Sequence, residues 1–316
     1  MKCFLRVIIA LFVVCSAAVF HSSANAQIVS GIDTEGRYPN VVSLGGVFWP
    51  SGPGSLAIKC SGSVLSVDET KLVILTAAHC TDIWAFYMKD HWPESLGVSF
   101  DLNNQVNGSF SDATYYVSGG IPISFPAKDT PFDSNDYAMV VFPRNATNSL
   151  GETIDDRWGS VAGAFTPVKT VPYPGYVADI IRNTQLPTQN LEFAAVGYGI
   201  GPKIKRGHDL STFMVRDVAR LTFNALNPGN DILRESMNVN RGEAITCNGD
   251  SGGPLFYNDP VLGRVQVSSV SGGDIACQGT NTGPGFGTQI ALDFVACGRI
   301  EGDVSAVQAC VNGLFQ

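Results

Sequence analysis

Apolar residues in this chain gather in short runs broken by Gly, Pro, Asn and Asp, and the stripes of period 3.6 that mark amphipathic helices are scarce. The clearest runs cover residues 41–44, 61–67, 71–76, 137–142, 192–196, 214–222 and 264–270. Their length and their β-branched and aromatic content predict strands. One helix is predicted at the C-terminus, where Val304, Val307, Val311 and Leu314 line one face. Many short strands joined by turns predict an all-β fold, a barrel or a sandwich. Irregular connections are predicted over 49–55, 91–112, 121–135 and 144–175. The last is polar, then punctuated by Pro167, Pro172 and Pro174, and reads as the crossing between two halves.

Composition narrows the setting. Of 316 residues, 45% are hydrophobic and 15% charged, enough to build a sizeable core. Lys2 and Arg6 precede an apolar run over 7–20, and Ala24-Asn25-Ala26 supplies a small-x-small cleavage site, so residues 1–26 read as a signal peptide. The expectation is a soluble, secreted protein, extracellular or periplasmic. Without Lys2 and Arg6, 18 basic residues face 28 acidic ones, a net charge of −10, which argues against nucleic acid and anionic membranes as partners. Cys3 and Cys15 leave with the signal; the remaining six suggest three disulfides in an exported chain. Sequence alone leaves the pairing open, and the sequential choice is Cys60 with Cys80, Cys247 with Cys277 and Cys297 with Cys310. No C-x-x-C occurs and histidines are few, so no metal or cofactor is expected. Asn107 and Asn145 head glycosylation sequons.

Three stretches carry candidate chemistry. Cys247-Asn248-Gly249-Asp250-Ser251-Gly252-Gly253-Pro254 sets one serine among glycines that permit a sharp turn and N–H groups aimed at a substrate oxygen. A serine nucleophile needs a base. Leu75-Thr76-Ala77-Ala78-His79-Cys80 offers one at the end of an apolar run. A bond from Cys80 to Cys60 would close a loop of about 20 residues, worth about 3 kcal/mol in chain entropy. Asn135-Asp136-Tyr137 puts an acid at the head of another apolar run, where it could orient an imidazole.

Together these stretches resemble the chymotrypsin/trypsin family of serine endopeptidases. Ile28-Val29-Ser30-Gly31, Cys60-Ser61-Gly62-Ser63, the Thr-Ala-Ala-His-Cys stretch, Asn135-Asp136-Tyr137-Ala138-Met139, Gly197-Tyr198-Gly199, the Gly-Asp-Ser-Gly-Gly-Pro stretch, Val270-Ser271-Gly272-Gly273 and Pro284-Gly285-Phe286-Gly287 follow in the family's order. The resemblance implies two antiparallel six-stranded β-barrels, over 27–172 and 173–316, with the site in the cleft between them and a short C-terminal helix. It implies Ser251 as nucleophile, His79 as general base and acid, Asp136 as its orienter with Ser271 close by, and the N–H groups of Gly249 and Ser251 as oxyanion hole. It places Ile245 at the pocket floor, with Ser271, Gly273 and Gly285 around the walls. An aliphatic floor offers an Arg or Lys side chain no partner, so cleavage is expected after apolar residues such as Phe, Tyr, Leu or Met. The implied partners are protein or peptide substrates and proteinaceous inhibitors, met by a monomer.

Two rival folds fail. The nucleophile elbow of α/β-hydrolases needs a histidine after the serine, and none follows Ser251. The subtilisin order needs an acid before His79, and Asp33 and Asp68 sit in no comparable constellation. The chain also departs from the family. Gly272 stands where a tryptophan is usual, and 278–283 is long enough to reshape the pocket. The family pairs a freed Ile28 amine with Asp250, yet the expected signal cut leaves Gln27 in front of it. These departures keep one alternative in view: a non-catalytic homologue serving as a secreted binding protein.

Overall fold

A computed structural model describes residues 31–47, 56–82, 95–105, 116–125, 135–184, 187, 190–201, 203–204, 207–208, 210–227, 232–236, 243–273, 277 and 279–316. The expected signal segment, Gln27, Ile28, Asn107 and the stretch 49–55 lie outside them. In chain order come β1 (Gly31–Ile32), β2 (Val41–Val47), β3 (Leu56–Val67), β4 (Lys71–Thr76), β5 (Ser95–Ser99), β6 (Val117–Ser124), β7 (Ala138–Pro143), α1 (Ile154–Trp158), β8 (Lys169–Thr170) and α2 (Tyr176–Asn183). Then follow β9 (Glu192–Gly197), β10 (Lys203–Ile204), β11 (Gly207–His208), β12 (Asp217–Asn227), β13 (Ile232–Ser236), β14 (Pro254–Asp259), β15 (Gly263–Ser269), β16 (Gly272–Gly273), β17 (Thr280–Pro284), α3 (Gln289–Cys297) and α4 (Val304–Gly313).

The first six long strands close into a barrel in the order β2-β3-β4-β7-β6-β5. Its interior holds Val42, Leu44, Val64, Ile74, Val98 and Phe142, all buried. The second half is a nine-stranded sheet running β16-β17-β13-β12-β9-β14-β15-β8, with β1 on β12. A single bridge between Ser268 and Gly285 joins β15 to the end of β17, which closes six of these strands into a second ring. The ladders are antiparallel except β8 on β15, which is parallel. Strands β1 and β8 both precede residue 173, yet both belong to this second sheet.

β4 is buried on both faces, and so is nearly all of β7, which explains their unbroken apolar runs. One face fills the first barrel; the other packs Leu75, Met139 and Val141 with Phe294, Val307 and Val311 of the two C-terminal helices. The predicted terminal helix is α4, with Val307 and Val311 facing inward. Lys71, itself buried, fastens the turn before it by donating to the Ile300 and Gly302 carbonyls at 2.8 and 2.6 Å.

The structure corrects the expected irregular stretches. β5 lies within 91–112, and β6 runs into 121–135. Gly119, Gly120 and Pro122 of β6 look like loop residues, but a Cβ at Gly120 would sit 2.6 Å from the Phe142 ring. That glycine therefore makes room for the core rather than for a turn. The crossing 144–175 contains α1, whose capping box joins Thr153 to Asp156. Helices α2 and α3 were not expected either. The two halves are stitched by Arg216, which pairs with Asp33 at 3.1 Å and donates to the Val41 and Phe100 carbonyls at 3.3 Å.

Candidate active site

β4 ends at Thr76, and a helical turn over 78–82 begins where the two small alanines leave space for it. The Cys60–Cys80 disulfide ties that turn to β3. Asp136, fully buried just ahead of β7, reaches across to it. The His79 backbone N–H donates to Asp136 Oδ1 at 2.7 Å, and His79 Nδ1 lies 2.7 Å from Oδ2. The Ser271 hydroxyl donates to the same Oδ2. Burial pushes the Asp136 carboxyl up, but the donors of His79 and Ser271 outweigh it and hold it below the usual carboxylate range. An ionised acid fixed at two points by one histidine sets both the tautomer and the direction of the imidazole.

The nucleophile loop comes from the second half but is held by the first. Ser61 of β3 donates its N–H to the Ser251 carbonyl at 2.8 Å and its hydroxyl to the Gly249 carbonyl at 2.9 Å. Gly252 has φ +78° and its N–H donates to the Val270 carbonyl at 2.7 Å. A Cβ there would collide with Thr76 Oγ1, Ser61 O and Ala77 N, so position and conformation both demand glycine. The N–H groups of Asp250, Gly252 and Gly253 are taken by the Cys247, Val270 and Asp250 carbonyls. Those of Gly249 and Ser251 have no acceptor among the described residues.

His79 and Ser251 line one cleft of about 620 Å³, along with Thr246, Asn248, Val270, Gly272 and Thr282. Ser271, Gly273 and the Cys247–Cys277 disulfide complete its walls. Two expected pocket residues lie elsewhere. Ile245 lines a separate small cavity, and Gly285 forms the bridge to Ser268. Thr246, one residue on from Ile245, faces the cleft in its place; sequence reading did not single it out. The stretch 278–283 supplies most of β17, and through Thr282 part of the cleft wall.

The small cavity, about 50 Å³, is bounded by Asp217, Ile245, Thr246 and Asp250. Asp250 Oδ1 accepts the Gly199 N–H and Oδ2 the Cys247 N–H, each at 2.8 Å. Cβ atoms at Gly197 or Gly199 would strike this carboxylate, which accounts for the Gly-Tyr-Gly stretch. Burial pushes Asp250 up to about 7 against those two N–H donors, with Asp217 adding to the rise. The structure carries the three disulfides in sequential order, the third being Cys297–Cys310 between α3 and α4. Among the described residues, the one cluster of metal-ligating types is Cys60, His79 and Cys80, and the disulfide leaves it no thiolate.

The chain can now be set beside known proteins. Residues 170–295 match the family model described as Trypsin. The chain is 24% identical over 318 residues to the clotting factor G beta subunit of Tachypleus tridentatus, covering 89% of each. In structure it is similar to a thermostable serine protease AL20 from an extremophilic microorganism, at TM-score 0.45 and 17% identity, over 79% of this chain and 92% of that one. It is also similar to protease Anisep from Arthrobacter nicotinovorans, at TM-score 0.47 and 16% identity, over 85% and 98%. The family match spans the nucleophile half, and the hydrogen-bonded His79–Asp136 pair stands across the cleft in the other. Residues 170–295 thus carry a match to the Trypsin family, and the chain as a whole is similar to serine proteases.

Proposed function

We propose that this protein is a secreted serine endopeptidase that cleaves peptide bonds through an acyl-enzyme on Ser251. The observation that carries this reading is the His79–Asp136–Ser271 hydrogen-bonded set facing the same cleft as Ser251. In the proposed mechanism His79 Nε2 takes the Ser251 hydroxyl proton as the oxygen attacks the scissile carbonyl. The N–H groups of Gly249 and Ser251 stabilise the oxyanion, and His79 then hands the proton to the leaving amine. Asp136 stays ionised throughout and stabilises the imidazolium.

The cleft supports a preference for uncharged P1 residues, the apolar ones named above. Among the described residues none of its walls carries Asp, Glu, Lys or Arg, so a buried P1 cation or carboxylate would go unpaired. Activation is proposed to follow release of the Ile28 amine, which would enter the cavity beside Asp250 and Asp217. Gly31 bridges to Val218, whose neighbour Asp217 lines that cavity, so three residues of chain suffice for the reach. Three disulfides favour an oxidising compartment, hence export. Protein substrates, proteinaceous inhibitors and a monomeric state belong to the same proposal.

The test is hydrolysis of a P1-varied peptide library by the secreted protein with Ile28 as its first residue. Cleavage after Phe, Tyr, Leu or Met, lost by about 10⁴ or more in Ser251→Ala, is the expected result. Equal hydrolysis by that variant refutes the nucleophile, and a profile dominated by Arg or Lys refutes the pocket. No hydrolysis by the processed protein would favour the binding-protein alternative.

A further inference from the structure

Behind the cleft lies a buried acid that the mechanism does not use. Glu235 of β13 is fully buried, and its register partner on β17 is Asn281, itself 1% exposed. Asn281 Nδ2 donates to Glu235 Oε2 at 3.0 Å, and Asn281 Oδ1 lies 2.6 Å from the hydroxyl of Thr246 on the cleft wall. Among the described residues Glu235 Oε1 has no hydrogen-bond partner and no cation pairs with the group. A lone buried carboxyl is costly, so its position calls for a reason.

The hydrogen-bond chemistry supplies one. An asparagine amide has one donating end and one accepting end. Because Glu235 Oε2 takes the amide N–H, the accepting oxygen faces Thr246. A carbonyl oxygen cannot donate, so Thr246 must, and its single proton is committed to Asn281. What the hydroxyl has left for a substrate is a lone pair. Burial pushes the Glu235 carboxyl well above the usual glutamate range, but either protonation state leaves a lone pair on Oε2 to hold the Asn281 amide.

We propose that Glu235, acting through Asn281, fixes the Thr246 hydroxyl as a hydrogen-bond acceptor in the substrate cleft, so that the cleft selects a P1 side chain ending in a donor, tyrosine over phenylalanine. This rests on the endopeptidase reading above and adds a specificity determinant to it. Thr246 is the contacting group; Asn281 and Glu235 are positioning residues. The register explains why these three meet: β17 pairs with β13 on one side and with β16 on the other, where Asn281 opposes Gly273 of the cleft wall.

The experiment uses the Ile28-processed protein and two peptide substrates that differ only in Tyr or Phe at P1. The readout is the ratio of their kcat/KM values, which general damage to folding or catalysis does not move. The wild type is expected to favour Tyr about fivefold, the worth of one neutral hydrogen bond. Thr246→Val brings the ratio to about one. The positioning residues are read with a third peptide carrying 4-methoxyphenylalanine, an acceptor without a donor, at P1: it gains about fivefold on the Phe peptide in Glu235→Leu, where the freed Thr246 proton can donate, and gains nothing in Glu235→Gln, because a glutamine oxygen can still accept from Asn281. Should Glu235→Leu fail to fold, Asn281→Leu serves, with the same gain expected. A wild-type Tyr/Phe ratio near one, a ratio unchanged by Thr246→Val, or no gain in the positioning variants overturns the proposal while leaving the endopeptidase reading intact. Hydrolysis of neither peptide by the processed wild type overturns both.

Discussion

At the scale of single residues, Asp136 holds the site together. It is buried, and its charge is balanced by a ring nitrogen, a backbone N–H and the Ser271 hydroxyl. Each donor is a hydrogen bond to a charged group, worth about 1.5–3 kcal/mol. Ser271→Ala should therefore lower kcat/KM by about tenfold or more and shift the acidic limb of the pH–rate profile to higher pH, since losing that donor raises the Asp136 carboxyl toward the range where it protonates. A loss in KM alone would mean that Ser271 serves only to bind substrate. The candidates His79, Asp136 and Ser251 could be picked from the sequence because His79 and Ser251 sit in short local motifs whose neighbours have visible jobs: the alanines before His79, the glycines around Ser251. Thr246, Asn281 and Glu235 were not legible. They are bonded across strand register and have no shared local pattern.

At the scale of elements, strands with two buried faces announced themselves, and β6 did not. Its Gly-Gly-x-Pro texture mimics a loop, while the space its side chains would occupy belongs to Phe142. Gly120→Ala should destabilise the protein by about 1–3 kcal/mol through overpacking, and Phe142→Leu in the same chain should recover part of that loss. Thermal melts of the two single variants and the double variant check this; strict additivity would mean that the ring and the added methyl do not meet. Helix α1 could have been found from its Thr153-x-x-Asp156 spacing, which the polar look of the crossing obscured. The parallel pairing of β8 with β15 is set by two residues after a long connection, so no local pattern announces it.

At the scale of the whole molecule, each half supplies what the other lacks. The first barrel presents His79 and Asp136, the second presents Ser251, and Ser61 of the first anchors the nucleophile loop of the second. Two barrels and a cleft followed from motif order, whereas the exact walls of the cleft depend on how β16 and β17 pair and so lay beyond sequence patterning. In the proposed activation, Asp250 links processing to catalysis. Its carboxyl, raised by burial, would gain a partner from a freed amine entering the cavity it shares with Asp217. The central claim is that Ser251 is a nucleophile activated by His79. A fluorophosphonate probe, titrated against the Ile28-processed protein and mapped by peptide mass spectrometry, tests it most directly. One label per chain on Ser251, abolished in Ser251→Ala and slowed at least about a thousandfold in His79→Ala, is the result expected. No label on the processed protein, or a label carried by another residue, would contradict it.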